Sequence, residues 1–492
     1  MGLLKSLSNS LGNIITSVDN RPMAAKMQQP FYRDQEILLG IEPEKNSKGL
    51  FEGVYLNWGD LCTHSLLLGS TGVGKSRMME SVAAQAIRNG WGVVFVDLKG
   101  DMDALMRMYS AAHFMGRGQD FRIINTTAIS HPHSDFGRLG TCSWNPLLSQ
   151  SDPENLISLL LSAAISDDAP GFYKNMLEKN FRMLALGLMS TGKPFTLADC
   201  ASVVKSERGL RMFKAMAAKS TTATAQAEAY LKLLENEKTA DKYFEKTLDA
   251  EMFFERFTES ALGSIMNTTQ PDISLKQAYW NQQIVWIYLP SMLAQQTANA
   301  AGKMLMAEMV SLIGETLLNV GEGKRKKLLF MCDELEKILI PEGLLDITAM
   351  GRSSDCALFG ALQNISQIDS QHGLFTRNSI IGNMKTKICF HSKEEATTKL
   401  ISSVIGEEAF KEALRAGLVS ATVADSARVS ETDIGDLRKF EFVLSKPDEY
   451  KIAQLAISPA KYTMGIDFPA PDYKPTITTE GGVQIYDAIA KG

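Results

Sequence analysis

Apolar and polar positions change texture twice along the chain, and those changes organise it. Residues 31–60 read as short strands and turns leading into a core. Residues 63–68 form a buried-strand run that passes straight into a glycine-rich stretch. Residues 75–89 predict a helix, which Gly90 is suited to end. Residues 93–96 and 121–125 predict two further strands. Strand, glycine loop, helix and strand in that order open an α/β domain with a mostly parallel sheet.

Across residues 152–268 the period is helical. Tyr173, Met176, Leu177, Phe181, Leu184 and Leu188 recur at three and four, as do Tyr230, Leu231 and Leu234. This predicts an all-helical domain inserted into the α/β core. Strand patterns return at 284–289, closed by Pro290, and then at 328–332, 356–362 and 386–390, with a helix expected over 295–318. A hairpin is expected from 442–444 and 452–456, around Pro447 and Asp448. Leu4, Leu7, Leu11, Ile14, Ile15 and Val18 share one helical face, with Lys5 the only charge before Asp19. That segment would pack on the protein or a neighbour, or lie on a membrane surface. The expected division is an amphipathic segment at 1–30, the first part of a nucleotide-binding domain at 31–150, an all-α domain at 151–270, the second part of the nucleotide-binding domain at 271–458, and a tail at 459–492. The tail carries Pro469, Pro471 and Pro475, shows no long period, and would wrap the surface or dock onto a partner.

Composition narrows this picture. The 492 residues suffice for two or three domains, and 45% hydrophobic with 22% charged residues is ordinary for a globular protein. A net charge of −5 supplies no global cationic field, so any DNA contact must come from local patches or from patches summed over a ring. No apolar run approaches the roughly 18 to 20 residues of a membrane span. The six cysteines, Cys62, Cys142, Cys200, Cys332, Cys356 and Cys389, form no C-x-x-C pair and read as reduced core thiols. His131 and His133 flank Pro132 with no cysteine near, which reads as a solvated loop.

The chemistry concentrates in a few places. Gly69, Ser70, Thr71, Gly72, Val73, Gly74, Lys75 and Ser76 match G-x-x-x-x-G-K-[ST] between an expected strand and an expected helix. Glycines let backbone N–H groups face the phosphates of ATP, Lys75 reaches the β- and γ-phosphates, and the Ser76 hydroxyl binds Mg²⁺. The apolar strand 328–332 ends at Asp333 and Glu334. There Asp333 would hold the metal shell, and Glu334 would orient and deprotonate the attacking water. Arg352, in Gly351-Arg352-Ser353, could reach the γ-phosphate of an adjacent subunit, and Gln363, ending the next strand, could sense that phosphate or the water.

Taken in order, Asp333-Glu334, Gly351-Arg352-Ser353 and Leu362-Gln363 resemble the ATPase core of type IV secretion coupling proteins, the DNA-translocase-like proteins of bacterial conjugation. Asp97-Leu98-Lys99-Gly100-Asp101 and Trp144-Asn145-Pro146-Leu147 resemble the same family, and the helical insertion matches it in place and size. The resemblance covers roughly residues 37–456. It implies a RecA-like P-loop NTPase core with an inserted all-α domain, with Arg352 as an arginine finger across a subunit boundary and Gln363 as a sensor. It also implies a homo-hexameric ring with a central channel, DNA-stimulated ATP hydrolysis, and secretion-channel and relaxosome-type partners. The expected location is the cytoplasmic face of the bacterial inner membrane. Typical members carry transmembrane helices before the core and this sequence shows none, so membrane contact is expected to be indirect or peripheral.

Two basic stretches could line a channel: Lys324, Arg325, Lys326 and Lys327, and Lys205, Arg208, Arg211, Lys214 and Lys219 with only Glu207 opposing them in sequence. Each could equally be solvated surface. Three readings follow: a motor that moves DNA or a DNA–protein complex into a secretion channel, a ring ATPase that pumps DNA outside secretion, and an adaptor that recruits protein substrates with ATP as an assembly switch.

Overall fold

In the computed structural model, residues 33–47, 49–164, 171–403, 431–446, 449–455 and 471–490 are described. The amphipathic stretch at 1–30 lies outside them. Among the described residues, eleven strands form one sheet in the order β2-β1-β11-β10-β9-β3-β8-β7-β4-β6-β5. They are β1 (Glu36–Lys45), β2 (Phe51–Asn57), β3 (Ser65–Leu68), β4 (Gly92–Asp97), β5 (Phe121–Asn125), β6 (Ile284–Tyr288), β7 (Leu328–Asp333), β8 (Cys356–Leu362), β9 (Thr386–Phe390), β10 (Glu441–Lys446) and β11 (Glu449–Leu455). The seven strands from β9 to β5 run parallel. The other four extend the sheet antiparallel.

The parallel strands are mostly apolar because both of their faces are covered. Along β7, Leu328, Phe330 and Cys332 enter one core, while Leu329 and Met331 enter the other. One face is covered by α1 (Lys75–Arg88) and α2 (Met102–Phe114). The Gln85 side chain of α1 also holds the antiparallel extension: Leu38 N–H donates to Oε1 at 2.8 Å, and Nε2 donates to Leu38 O at 2.9 Å.

The other face carries α3 (Pro153–Ala164), α9 (Ser291–Asn319) and α10 (Pro341–Met350). Its core continues without a break into α4 (Gly171–Ser190), α5 (Leu197–Lys205), α6 (Glu207–Met216), α7 (Thr221–Leu234) and α8 (Glu237–Thr258). The chain leaves the sheet after β5 and returns at β6, and between them the named elements are all helical. Where it leaves, Trp144 Nε1 donates to Glu308 Oε2 of α9 at 3.0 Å, and Asn145 Nδ2 donates to Phe195 O and Thr268 O at 3.0 and 2.8 Å.

Residues 471–490 lie across the chain's own body. Thr141 N–H donates to Tyr473 O at 3.0 Å, Thr476 N–H to Asp272 Oδ2 at 2.9 Å, and Tyr486 N–H to Asp199 Oδ1 at 3.0 Å. All six cysteines are free and buried. Among the described residues no helix is long and apolar enough to cross a membrane. No group of three metal-ligating side chains occurs there either, and His131 makes only a local contact with Ser130 Oγ.

Candidate functional site

The carboxyl ends of β3, β8, β7 and β4 form one rim, and four of the sequence motifs meet along it. Parallel register places Leu68 of β3 beside Leu362 of β8, and β8 separates β3 from β7. After Leu68 the chain turns through Gly69, Gly72 and Gly74, at φ 147°, 81° and 127°. These values favour glycine, and a Cβ on Gly74 would also meet the Phe440 ring at 2.8 Å. Gly74 is the N-cap of α1, so the helix presents its first N–H groups to the space above the loop.

Lys75 is 6% exposed. Its ammonium donates to Gly69 O and, at 3.0 Å, to Ser70 O, so it folds back onto the loop's own carbonyls. Burial lowers its pKa to about 8, against the pull of Asp333. Ser76 Oγ donates to Asp333 Oδ2 across 3.3 Å. Asp333 ends β7, and Glu334 follows in a left-handed conformation at φ 64°, ψ 52°. Such a conformation is uncommon for a non-glycine residue.

The Lys99 ammonium bridges these acids, 2.8 Å from Asp333 Oδ2 and 3.9 Å from Glu334 Oε1, and the Lys337 ammonium lies 2.6 Å from Glu334 Oε2. Lys99 is aimed by the turn after β4. The Asp97 carboxylate accepts from the N–H groups of Lys99, Gly100 and Asp101 at 3.0, 2.8 and 3.0 Å. Asp101 then caps α2 through Ala104 N–H at 2.9 Å. At the end of β8, Gln363 Oε1 accepts from Thr71 Oγ1 at 3.4 Å.

Lys75, Ser76, Asp333, Glu334 and Gln363 thus share one rim with Gly69, Ser70, Thr71, Gly72, Val73 and Gly74. Arg352 does not. It precedes β8 in a short 3₁₀ turn, Gly351–Ser354, and is exposed at the amino end of the strands. The seven residues of β8 put the two edges about 20 Å apart. Lys99 and Lys337 were not singled out from sequence for a site role. The Asp97-to-Asp101 stretch flagged the position of Lys99, but its partners needed the sheet order.

The donor set suits a magnesium nucleotide. The loop holds its three glycines at positive φ and leaves no room for a Cβ at Gly69 and Gly74, a helix starts beside it, and a hydroxyl and a carboxylate stand together as hard oxygen ligands. The ammonium of Lys99 neutralises part of the acid pair's charge.

The basic stretch of the helical layer is more balanced than its sequence shows. Lys205 pairs with Glu255, Arg211 with Glu207, and Lys214 with Glu228.

A family model described as the TraM recognition site of TraD and TraG matches residues 327–430, a stretch that includes Asp333, Glu334, Arg352 and Gln363. The type 4 coupling protein DotL of Legionella pneumophila subsp. pneumophila is 33% identical over 97 residues, which is 20% of this chain and 12% of DotL. The coupling protein TraD of Escherichia coli strain K12 is 24% identical over 192 residues, covering 36% of this chain and 26% of TraD. The matched stretch therefore spans only a minor part of either relative. The solved plasmid coupling protein TrwB in complex with ADP and Mg²⁺ has the same fold, with a TM-score of 0.56 at 13% identity over 87% of this chain and 95% of that one.

Proposed function

We propose that the chain, which is similar over part of its length to type IV coupling proteins, is an ATP-hydrolysing motor that brings DNA or a DNA–protein complex to a type IV secretion channel. The observation that carries the ATPase reading is the approach of Ser76 Oγ to Asp333 Oδ2 at 3.3 Å, on the same rim as Lys75 and Gln363. That ADP and Mg²⁺ are bound in TrwB, a protein of this fold, supports ATP with Mg²⁺ as the natural occupants here.

In this reading the loop N–H groups from Gly69 to Ser76 bind the phosphates, and the Lys75 ammonium leaves the carbonyls of Gly69 and Ser70 for the β- and γ-phosphates. Ser76 and Asp333 would hold Mg²⁺, which would supply charge neutralisation at the phosphates; Lys99, now paired with Asp333, would give up that carboxylate. Glu334 accepts the proton of the attacking water, with its carboxylate steadied by Lys337. Gln363 orients that water or the γ-phosphate from between the two strand ends. Arg352 serves the site of an adjacent copy, which requires a ring, and we take that ring to be a homo-hexamer at the cytoplasmic face of the inner membrane. The description of the matching family model supports a relaxosome-type protein as partner.

The test is the hydrolysis rate per subunit across protein concentration, with and without single- and double-stranded DNA. A rate that climbs with both concentration and DNA is expected. A rate indifferent to DNA would move the assignment to a protein-recruiting adaptor. Lys75→Ala is expected to abolish turnover, and unchanged turnover would mean the active site lies elsewhere.

A further inference from the structure

The edge of the sheet opposite the phosphate loop gathers charge from two separate stretches of sequence. β7 and β8 start side by side, with Leu328 N–H donating to Asp355 O at 3.0 Å. The turns that precede them, 324–327 and 351–354, are fastened together. The buried Tyr279 hydroxyl accepts from Lys326 N–H at 2.9 Å and donates to Ser354 O at 3.2 Å. The Arg325 guanidinium donates to Ser353 O and, at 3.2 Å, to Val320 O. Lys327 is held between aromatic rings, 5.5 Å from the Trp58 ring centre and 5.1 Å from that of Trp91, and donates to Gln35 Oε1 at 3.1 Å.

Arg325 and Lys327 are thereby used to build the edge. Lys324, Lys326 and Arg352 are exposed and make no ion pair among the described residues. Asp355, the acid that follows the second turn, accepts from Trp58 Nε1 at 2.9 Å.

We infer that Lys324, Lys326 and Arg352 form one cationic face that positions the triphosphate held by a neighbouring copy of this chain, so that the 324–327 run is part of the subunit boundary and not a track for DNA. This rests on the reading that hydrolysis sites form between subunits. A head-to-tail ring shows one edge of each copy to the opposite edge of the next. On the phosphate-loop edge, Asp333, Glu334 and Glu336 are offset by Lys75, Lys99 and Lys337, so a bound magnesium triphosphate would leave that edge net anionic. The tie through Tyr279 and Arg325 makes the two turns one rigid body. A copy that delivers Arg352 to its neighbour therefore delivers Lys324 and Lys326 to the same place.

The experiment uses the full chain with Lys324→Glu/Lys326→Glu. Alone, this variant is expected to bind a non-hydrolysable ATP analogue as the wild type does, because its own phosphate loop is untouched, but to turn over about tenfold slower or worse. Mixed in equal amounts with Lys75→Ala, it should regain turnover. Copies with an intact phosphate loop then meet copies with an intact cationic edge at about one boundary in four. Lys324→Ala/Lys326→Ala, which keeps the surface neutral, should show the same recovery from a smaller loss.

Recovery for Arg352→Ala mixed with Lys75→Ala, but none for the lysine variants, would overturn the inference and leave the ring reading standing. Failure of both mixtures would remove the ring reading and the inference with it. Wild-type turnover without DNA, together with loss of DNA stimulation alone, would assign the lysines to a DNA track and also overturn it.

Discussion

Glu336 carries a buried carboxyl three residues beyond Asp333, and its Oε2 has no hydrogen-bond partner among the described residues. Burial raises its pKa to about 7, with Glu334 and Asp333 adding to the rise against Lys337. A carboxyl held above its unfolded value of 4.5 binds more protons folded than unfolded between those two values. Its stabilising contribution is therefore complete below about pH 4.5 and is lost as pH rises through 7. Glu336→Gln should leave stability nearly unchanged at pH 4.5 and raise it at pH 8 by about 2 kcal/mol, read from denaturant midpoints at the two pH values. Equal gains at both would mean the carboxyl is not titrating in the fold.

Lys99 offers a second test at the same scale. Its ammonium competes with a cation for Asp333. Lys99→Ala should therefore lower the Mg²⁺ concentration needed for half-maximal nucleotide binding about threefold, a small factor because Lys99 is partly exposed. A rise would show that Lys99 supports the metal and does not displace it. Lys75 and Asp333 were legible in the sequence because the phosphate loop has fixed spacing and an acid closing an apolar strand is a local signal. The Lys99 and Lys337 contacts were not, because they depend on β4 lying beside β7 and on a left-handed Glu334.

Elements of the sheet were legible to within a residue or two wherever both faces are buried, since continuous apolar runs such as 328–332 leave little freedom. β1 was harder. At ten residues it is longer than the short strands expected of its region, and it joins the sheet through β11, which arrives more than 400 residues later. The described part of the tail takes one of its two expected courses and lies on the chain's own body, where polar pairs such as Thr476 with Asp272 leave no period to read. The Trp144-to-Leu147 motif has a structural task here, since it fastens the start of the helical layer to α9 through Glu308. That carboxylate is fully buried and accepts from Trp144 Nε1, Ser149 Oγ and Leu275 N–H at 3.0, 2.5 and 2.9 Å. Glu308→Leu would leave two buried donors and a partly buried hydroxyl without this acceptor. A loss of about 3 kcal/mol is expected, with proteolysis appearing first between β5 and β6. An unaltered cleavage pattern would show that the node does not hold the two layers together.

At the scale of the molecule, the proposed DNA motor would have a net charge of −5 per chain, so its DNA surface would come from local patches or from their sum over a ring. Three of the five cations in the helical stretch are neutralised by Glu255, Glu207 and Glu228, which leaves Arg208 and Lys219 without an ion pair among the described residues. If the 324–327 run faces a neighbouring copy, it is withdrawn from any channel as well. Few phosphate contacts per copy mean weak binding by one copy and a shallow salt slope, whereas a ring multiplies both by its number of subunits. DNA affinity should therefore follow assembly. Anisotropy of a labelled single strand near physiological salt should stay flat at concentrations where the protein sediments as a monomer. It should rise over the same range in which the hydrolysis rate per subunit rises. Saturable DNA binding by the monomer would locate a cationic surface on the single chain, and the two unpaired residues of the helical layer, Arg208 and Lys219, would be the first to reverse in charge.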